Sequence, residues 1–313
     1  MTDQPTTVTL GPDGPPISPV GIGTWAWGDR MMWGYGGNYA EAEIREAFQA
    51  SLEGGVTWFD TAEVYGLGQS EKFLGRFIRE AGAEALIATK FMPFPWRLGK
   101  GALRRALRAS LKRLGLERID LYQIHWPLPP VPIETWMDAL ADAVDDGLVR
   151  MVGVSNYSVE QMRRAADALS KRGIRLASNQ VEYSLIQRAP ERAGLFDLCR
   201  DLGVTLIAYS PIGMGMLTGK YTPDAPPKGA RARRYSRERL AAIQPLIDLL
   251  REIGEAHGGK TSAQVAINWT ICKGAVPIPG AKNADQARAN AVVMGWRLTV
   301  DEVAALDKAS EGL

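Results

Sequence analysis

The chain has 313 residues, of which 46% are hydrophobic and 23% charged, a composition that excludes a disordered chain, a collagen and a disulfide scaffold. Lys and Arg number 37 against 35 Asp and Glu, a net charge of +2, so nothing in the charge points to nucleic acid or to an anionic membrane surface. Two histidines, His125 and His257, with two cysteines, Cys199 and Cys272, cannot build a His-based metal site, and no metal is expected. The cysteines lie on apolar helical patterns and are expected as buried thiols in a reducing cytosol. The opening stretch MTDQPTTVTLGPDG lacks the basic and apolar regions of a signal peptide. No run is long and apolar enough to span a bilayer. The expectation is a cytoplasmic protein with no membrane partner, and no feature of the sequence assigns an oligomeric state.

In chain order, Val8–Leu10, the turn Pro12-Asp13-Gly14 and Ile17 read as a β-hairpin over about 8–18. Strand-like apolar runs then alternate with amphipathic runs. The strands end near Gly23, Asp60, Lys90, His125, Ser155, Gln180, Tyr209 and Gly280, mostly about 25–37 residues apart, close to the length of a strand, a crossover helix and a return. Leucines at 103, 107, 111 and 114 give Ala102–Leu114 one apolar face. Ser158 is placed to cap a helix over Val159–Lys171, and Gly173 to end it. Such alternation predicts a parallel sheet, and eight repeats predict its closure into a (β/α)8 TIM barrel. The interval after the seventh strand is too long for one crossover. It holds a Gly/Met loop, the Pro- and Arg-rich stretch Pro223–Arg239 and helices near Pro245–Ala256 and Ser262–Lys273. No linker divides the chain. One domain over 1–313 is expected, with the barrel over about 20–298 and a terminal helix over about 299–310.

Barrel chemistry collects at the C-terminal ends of the strands. Asp60 ends the second strand with Tyr65 five residues on, Lys90 ends the third, and His125 the fourth. A tyrosine hydroxyl, with an ordinary pKa near 10, is a poor acid at neutral pH, and a neighbouring Lys⁺ is expected to lower that value. A carboxylate keeps the lysine charged and aimed, and a histidine can donate to a carbonyl oxygen. Such a set protonates a carbonyl oxygen while its carbon is attacked.

The segments GVTWFDTAEVYG, LIATK, DLYQIHWP, GVSNYS, SNQVEYS, LIAYSPIGMGMLTGKY and PIPGAKN resemble the aldo-keto reductase superfamily, from about Val20 to Leu306. AWGDRMMWG, PWRLGK, RLASNQVEYSLIQRAPE and GVTLIAYSPI resemble its plant pyridoxal reductase-like members. The resemblance implies reduction of an aldehyde or ketone by NADPH, with NADH less favoured, and a small-molecule carbonyl substrate such as pyridoxal or another aromatic aldehyde. It implies a catalytic set of Tyr65 as proton donor, Lys90, Asp60 and His125. For the cofactor it implies contacts from Thr24, Trp25 and Asp60, with Ser155, Asn156 and Gln180 on the carboxamide and Tyr209 stacked on the nicotinamide. Ser210, Pro211, Ile212, Gly213, Leu217, Gly219 and Lys220 would lie along the pyrophosphate, and Gly280, Lys282, Gln286 and Asn290 around the adenosine. Many NADPH-dependent members carry Arg where Gln286 stands, which leaves Lys282, or Arg231, Arg233 or Arg234, to meet the 2′-phosphate. A second reading is a cofactor-binding sensor or partner subunit on the same fold. The superfamily's potassium-channel β subunits, the model for that reading, carry extra N-terminal sequence, whereas here the barrel is expected to start near residue 20.

Large apolar groups follow the early strands: Trp25, Trp27, Met31, Met32 and Trp33, then Met92, Phe94 and Trp96, then Trp126, and later Met214 and Met216. They are expected to wall an apolar mouth, with Trp33, Trp96 and Trp126 as substrate contacts. Two phosphate-binding patterns are rejected. Gly21–Ala26 fits G-x-G-x-x-A but has Pro19 before it and loop residues after it, and GEAHGGKT at 254–261 follows a helical rather than a strand pattern. Asn156-Tyr157-Ser158 is a glycosylation sequon that a cytosolic chain does not use. His257 is expected at a helix end on the surface, and RARRYSRER as a solvated loop.

Overall fold

The computed structural model describes residues 7–227 and 235–313. Strands β1 (Val8–Thr9) and β2 (Pro16–Ile17) pair antiparallel as the hairpin, with Val8 opposite Ile17. Eight strands follow in one parallel sheet: β3 (Ile22–Gly23), β4 (Trp58–Asp60), β5 (Leu86–Phe91), β6 (Ile119–Ile124), β7 (Val149–Ser155), β8 (Leu176–Glu182), β9 (Thr205–Tyr209) and β10 (Val276–Ile278). Each pairs with the next in sequence. Gly21 N donates to Pro277 O at 3.0 Å, Gly23 N donates to Pro279 O at 3.1 Å, and Gly23 bridges Gly280. These contacts join the last strand to the first and close the barrel, as the repeat count predicts.

Helices α1 (Glu41–Glu53), α2 (Gln69–Ala81), α3 (Lys100–Leu114), α4 (Ile133–Asp145) and α5 (Val159–Ser170) are the crossovers between β3 and β8. The short α6 (Ala189–Arg192) and α7 (Leu195–Leu202) lead to β9. After β9 come α8 (Arg237–Ala256) and α9 (Ser262–Cys272), and after β10 come α10 (Ala284–Val292) and α11 (Val300–Ala309). The leucines of α3 are all buried. Ser158 caps α5 by accepting from Gln161 N at 3.2 Å, and Thr261 and Thr299 cap α9 and α11 in the same way.

Three details depart from the sequence reading. Helix α8 starts at Arg237, eight residues before Pro245, with Ser236 as its cap. His257 is half-buried, its Nε2 2.9 Å from Glu302 and its ring 4.8 Å from Trp296, so it ties the end of α8 to α11 instead of facing solvent. Arg231, Arg233 and Arg234 lie outside the described residues.

The core has two shells. One lies between strands and helices. The other fills the lower half of the barrel: Trp58, Ala88, Leu121, Ala177, Ile207 and Val276 point inward and pack on Leu10 and Ile17 of the hairpin. Gly11 N and Ser18 N donate to Thr205 and Thr57 at 2.7 and 2.8 Å, holding the hairpin across the N-terminal ends of the strands. Because side chains alternate along a strand, Asp60 stands two residues above Trp58, Lys90 above Ala88 and Gln123 above Leu121. The same face of each strand therefore turns from apolar to polar towards its C-terminal end. Among the described residues no helix is long and apolar enough to cross a membrane.

Candidate active site

The polar layer is built on Asp60, at the end of β4. Thr24 Oγ1 and N both donate to Asp60 O, at 2.9 and 2.8 Å, and fix its backbone. Its carboxylate pairs with the Lys90 ammonium, which is wholly buried and also donates to Thr61 O at 2.9 Å and to the Tyr65 hydroxyl at 3.3 Å. The other carboxylate oxygen accepts from Gln180 Nε2 at 2.8 Å and from Gln123 Nε2 at 3.4 Å. A buried charge pair costs more to desolvate than it returns unless its remaining valences are met; here the two amides and a carbonyl meet them.

Tyr65 follows β4 on a tight turn, in which Gly66, Leu67 and Gly68 all have positive φ, of 54°, 55° and 85°. That turn leaves the half-buried phenol between Trp25, stacked at 6.0 Å, and His125, edge-on at 5.7 Å. Burial, and then the Asp60 carboxylate, push the Tyr65 hydroxyl above its ordinary value of 10. This reverses the expected effect of Lys90, whose charge is matched by Asp60. Burial pulls Lys90 down, with Asp60 opposing the loss of its charge. Burial, and then Lys90, take His125 to about 3, so the imidazole is neutral, and its buried Nδ1 has no protein partner.

The opposite arc of the mouth carries the residues expected around a nicotinamide cofactor. Ser155 Oγ donates to Gln180 O at 2.8 Å, and Asn156 Nδ2 donates to Ser155 Oγ at 3.0 Å and to His125 O at 3.1 Å. The Tyr209 hydroxyl donates to Asn156 Oδ1 at 3.0 Å, which fixes the plane of its ring. Asn156 and Ser210 hold left-handed backbone, with φ of 63° and 53°, a conformation that non-glycine residues retain chiefly where the surroundings demand it. Gly213, Met214, Gly215 and Gly219 continue the left-handed turns after β9. Curled backbone of this kind can form a nest for an anion, although here Gly213 N and Gly215 N already donate to Ser210 O and Ile212 O, at 2.8 and 3.0 Å. The donors of this arc fit a nicotinamide dinucleotide.

Other expected contacts are redistributed. Thr24 is fully buried and braces Asp60 and Ser70, and Pro211, Gly213 and Leu217 are buried; Pro211 has no N–H to offer a phosphate, and the amides of Gly213 and Leu217 donate to Ser210 O and Ile212 O at 2.8 and 3.2 Å. Ile212 is half-buried and Lys220 exposed. Gln180 donates one amide N–H to Asp60, which leaves its Oε1 as the acceptor for a carboxamide. Beyond β10, Asn290 Nδ2 donates to Gly280 O at 3.2 Å, Lys282 N donates to Gln286 Oε1 at 2.9 Å, and the Lys282 ammonium lies 4.6 Å from the Trp33 ring. Trp33 packs edge-on against Trp25 at 5.6 Å. Trp126 is 40% and Trp96 73% exposed. Trp96 stacks on Phe94 at 4.7 Å. Met216 is core rather than wall.

Two groups at the site escaped the sequence reading. Gln123 lies two residues before His125 on the same inward face, a position strand alternation alone could have singled out. Glu63 accepts from Met92 N at 2.7 Å and pairs with Arg97, fastening the loop after β5 to the loop after β4. Among the described residues no group of three or more His, Cys, Asp or Glu is arranged to hold a metal ion.

Comparison with known proteins agrees with this geometry. The sequence model of the Aldo/keto reductase family matches residues 19–311. The chain is 43% identical to the chloroplastic pyridoxal reductase of Arabidopsis thaliana over 94% of this chain and 84% of that one. Its structure superposes on the glycerol dehydrogenase of Gluconobacter oxydans with a TM-score of 0.85 and 30% identity, covering 97% of this chain and 94% of the other. An aldo/keto reductase from Klebsiella pneumoniae, solved with NADP and acetate, gives a TM-score of 0.75 at 28% identity over 97% and 94% of the two chains. The chain therefore belongs to the aldo/keto reductase family and is an NAD(P)H-dependent oxidoreductase.

Proposed function

We propose that this chain reduces an aldehyde or ketone to an alcohol with NADPH, and that Tyr65 delivers the proton. The observation that carries the reading is the buried line Asp60–Lys90–Tyr65, with the neutral His125 ring against the phenol. The bound nicotinamide supplies the hydride to the carbonyl carbon. The Tyr65 O–H, kept protonated by its raised pKa, gives its proton to the carbonyl oxygen as charge builds there. Lys90, 3.3 Å away, stabilises the tyrosinate left behind until solvent returns a proton. Asp60 holds Lys90 in place. His125, unable to ionise in the physiological range, has the ring to donate a hydrogen bond to the carbonyl oxygen without competing as an acid. Tyr209 lies flat for the nicotinamide, and Lys282 meets the 2′-phosphate.

Tyr65→Phe keeps the ring and removes only the acid. It is expected to lower the single-turnover rate by about 10²–10⁴, the usual contribution of a positioned general acid, with NADPH affinity nearly unchanged. A near-normal single-turnover rate refutes the assignment. Single turnover is needed because cofactor release can limit steady-state kcat in enzymes that close over a ligand.

The substrate class we infer is an aromatic or heteroaromatic aldehyde, pyridoxal included. Support comes from the plant relative's name and from the Trp25–Trp33 pair beside Tyr65. Flat rings gain from such walls more than short aliphatic chains do. In a carbonyl panel, kcat/KM for pyridoxal and benzaldehyde is expected to exceed that for propanal by about tenfold or more, equivalent to one well-formed ring contact. The reverse order overturns the substrate class and leaves the proton donor standing.

A further inference from the structure

We propose that Trp33 is a positioning residue that couples recognition of the cofactor's 2′-phosphate at Lys282 to the carbonyl side of the mouth at Tyr65. The inference rests on the roles given above to Lys282 and Tyr65. Because β3 and β10 are neighbours in the closed barrel, the loop after the first strand leans on the loop after the last. Trp27 Nε1 donates to Ala281 O at 2.8 Å. One residue on, the Lys282 ammonium sits 4.6 Å from the Trp33 ring, 4.9 Å from the Tyr39 ring and 3.5 Å from Trp33 O. From there rings make a continuous path: Trp33 meets Trp25 edge-on at 5.6 Å, and Trp25 stacks on Tyr65 at 6.0 Å with planes 25° apart.

The loop that carries this path is braced from within. Asp29 Oδ1 accepts from Met32 N at 2.7 Å and from Trp33 N at 3.2 Å, and the Tyr39 hydroxyl donates to Ala26 O at 2.5 Å. Trp33 is therefore held as part of the loop that presents Trp25 to Tyr65. An ammonium is attracted to an aromatic face by the ring quadrupole. A 2′-phosphate on the other side of Lys282 fixes the ammonium over the rings, and with it the wall against which the carbonyl binds. A cofactor with a 2′-hydroxyl supplies no such anchor for the ammonium beside the rings. The two ends then share a coupling free energy, which by linkage acts equally in both directions. A single cation–π contact bounds it at about 2- to 30-fold.

The test measures the carbonyl KM with saturating NADPH and with saturating NADH. The wild-type ratio, NADH over NADPH, is expected to lie in that range. Trp33→Leu should bring the ratio to about 1, and Trp33→Phe, which keeps a ring face, should retain most of it. A purely structural role for Trp33 would shift both KM values together and leave the ratio intact. Titration of adenosine 2′,5′-bisphosphate into wild type and Lys282→Met checks the premise separately. Weakening by about tenfold or more is expected when a charge-assisted partner is lost. Unchanged bisphosphate affinity removes Lys282 from the phosphate and overturns the coupling with it. Weakened bisphosphate affinity with a wild-type ratio of 1, or with a ratio unchanged in Trp33→Leu, overturns the coupling alone.

Discussion

His125 and Tyr65 are displaced from their solution values in opposite directions by the same cause. Burial disfavours the charged form of each, so imidazole falls to about 3 and phenol rises above 10. Both are thereby held neutral from acid to mildly alkaline pH. Two measurements follow. First, kcat/KM for reduction should show no break assignable to Tyr65 ionisation between pH 6 and about 9, and a break in that window that disappears in Tyr65→Phe would contradict the raised pKa. Second, His125 links folding to pH. The unfolded chain takes up a proton near 6.5 and the folded chain only near 3, so the unfolded state binds more protons in between. The stability conferred by neutral His125 is complete above 6.5 and is lost as pH falls towards 3, at no more than about 1.4 kcal/mol per pH unit. His125→Gln should flatten the acid limb of the urea-unfolding profile by up to that slope; an identical limb would count against the burial.

The residues of the site were legible because a closed parallel barrel brings every strand end to one face. Once strand ends were marked, Asp60, Lys90 and His125 had to converge. Their partners were not legible. Whether Gln180 points its amide at Asp60 or at a ligand depends on the stagger of the strands, in which Lys90 stands opposite Gln123 while Gln180 stands opposite Ser155. No local pattern encodes that stagger. Thr24 was misread for a similar reason. It follows the first strand like a ligand residue, yet sits fully buried under the loop it braces.

At the scale of elements, helices marked by an apolar face, as α3, or by a capping Ser or Thr, as α5, α9 and α11, were read to within two residues. Helix α8 was cut short because a proline disfavours the helix interior by about 3 kcal/mol. Here Leu240 and Ile243 before Pro245, and Leu246, Ile247 and Leu250 after it, are all buried on one face. Burying each such side chain is worth roughly 1.5–3 kcal/mol, so tertiary packing outweighs the lost hydrogen bond. Packing also decides the sign of a substitution on α2. Alanine normally favours a helix over glycine by about 0.8–1.0 kcal/mol. At Gly75, however, a Cβ would stand 2.0 Å from Leu114 O, a backbone atom at the end of α3 that cannot swing aside. Overpacking of this kind costs about 1–3 kcal/mol. Gly75→Ala is thus expected to lower the urea midpoint, and a raised midpoint would show that α2 and α3 can separate cheaply.

Across the whole molecule, stability and ligation are linked, because the residues proposed to hold the dinucleotide lie on strand ends from β7 round to β10 that come together only in the closed barrel. Ligand that binds only the folded state stabilises it by about 2.7 kcal/mol at a hundredfold excess over Kd. NADPH at that level should raise the thermal midpoint, and addition of a chelator should leave the shift unchanged. A shift abolished by chelator would require a metal that the ligand set does not provide for.

The hairpin β1–β2 gives the barrel a floor. Leu10 and Ile17 lie on the lower interior side chains, and backbone amides tie the hairpin to Thr57 and Thr205. The interior is thus a cul-de-sac. Water cannot thread through it to reach the Asp60–Lys90 pair from below. On the proposed reading of Tyr65 as the acid, the proton that restores it must come through the same opening as the carbonyl. A carbonyl seated over that opening would compete with solvent for the space above the phenol. On that reading, the recharging of the acid follows the departure of the alcohol.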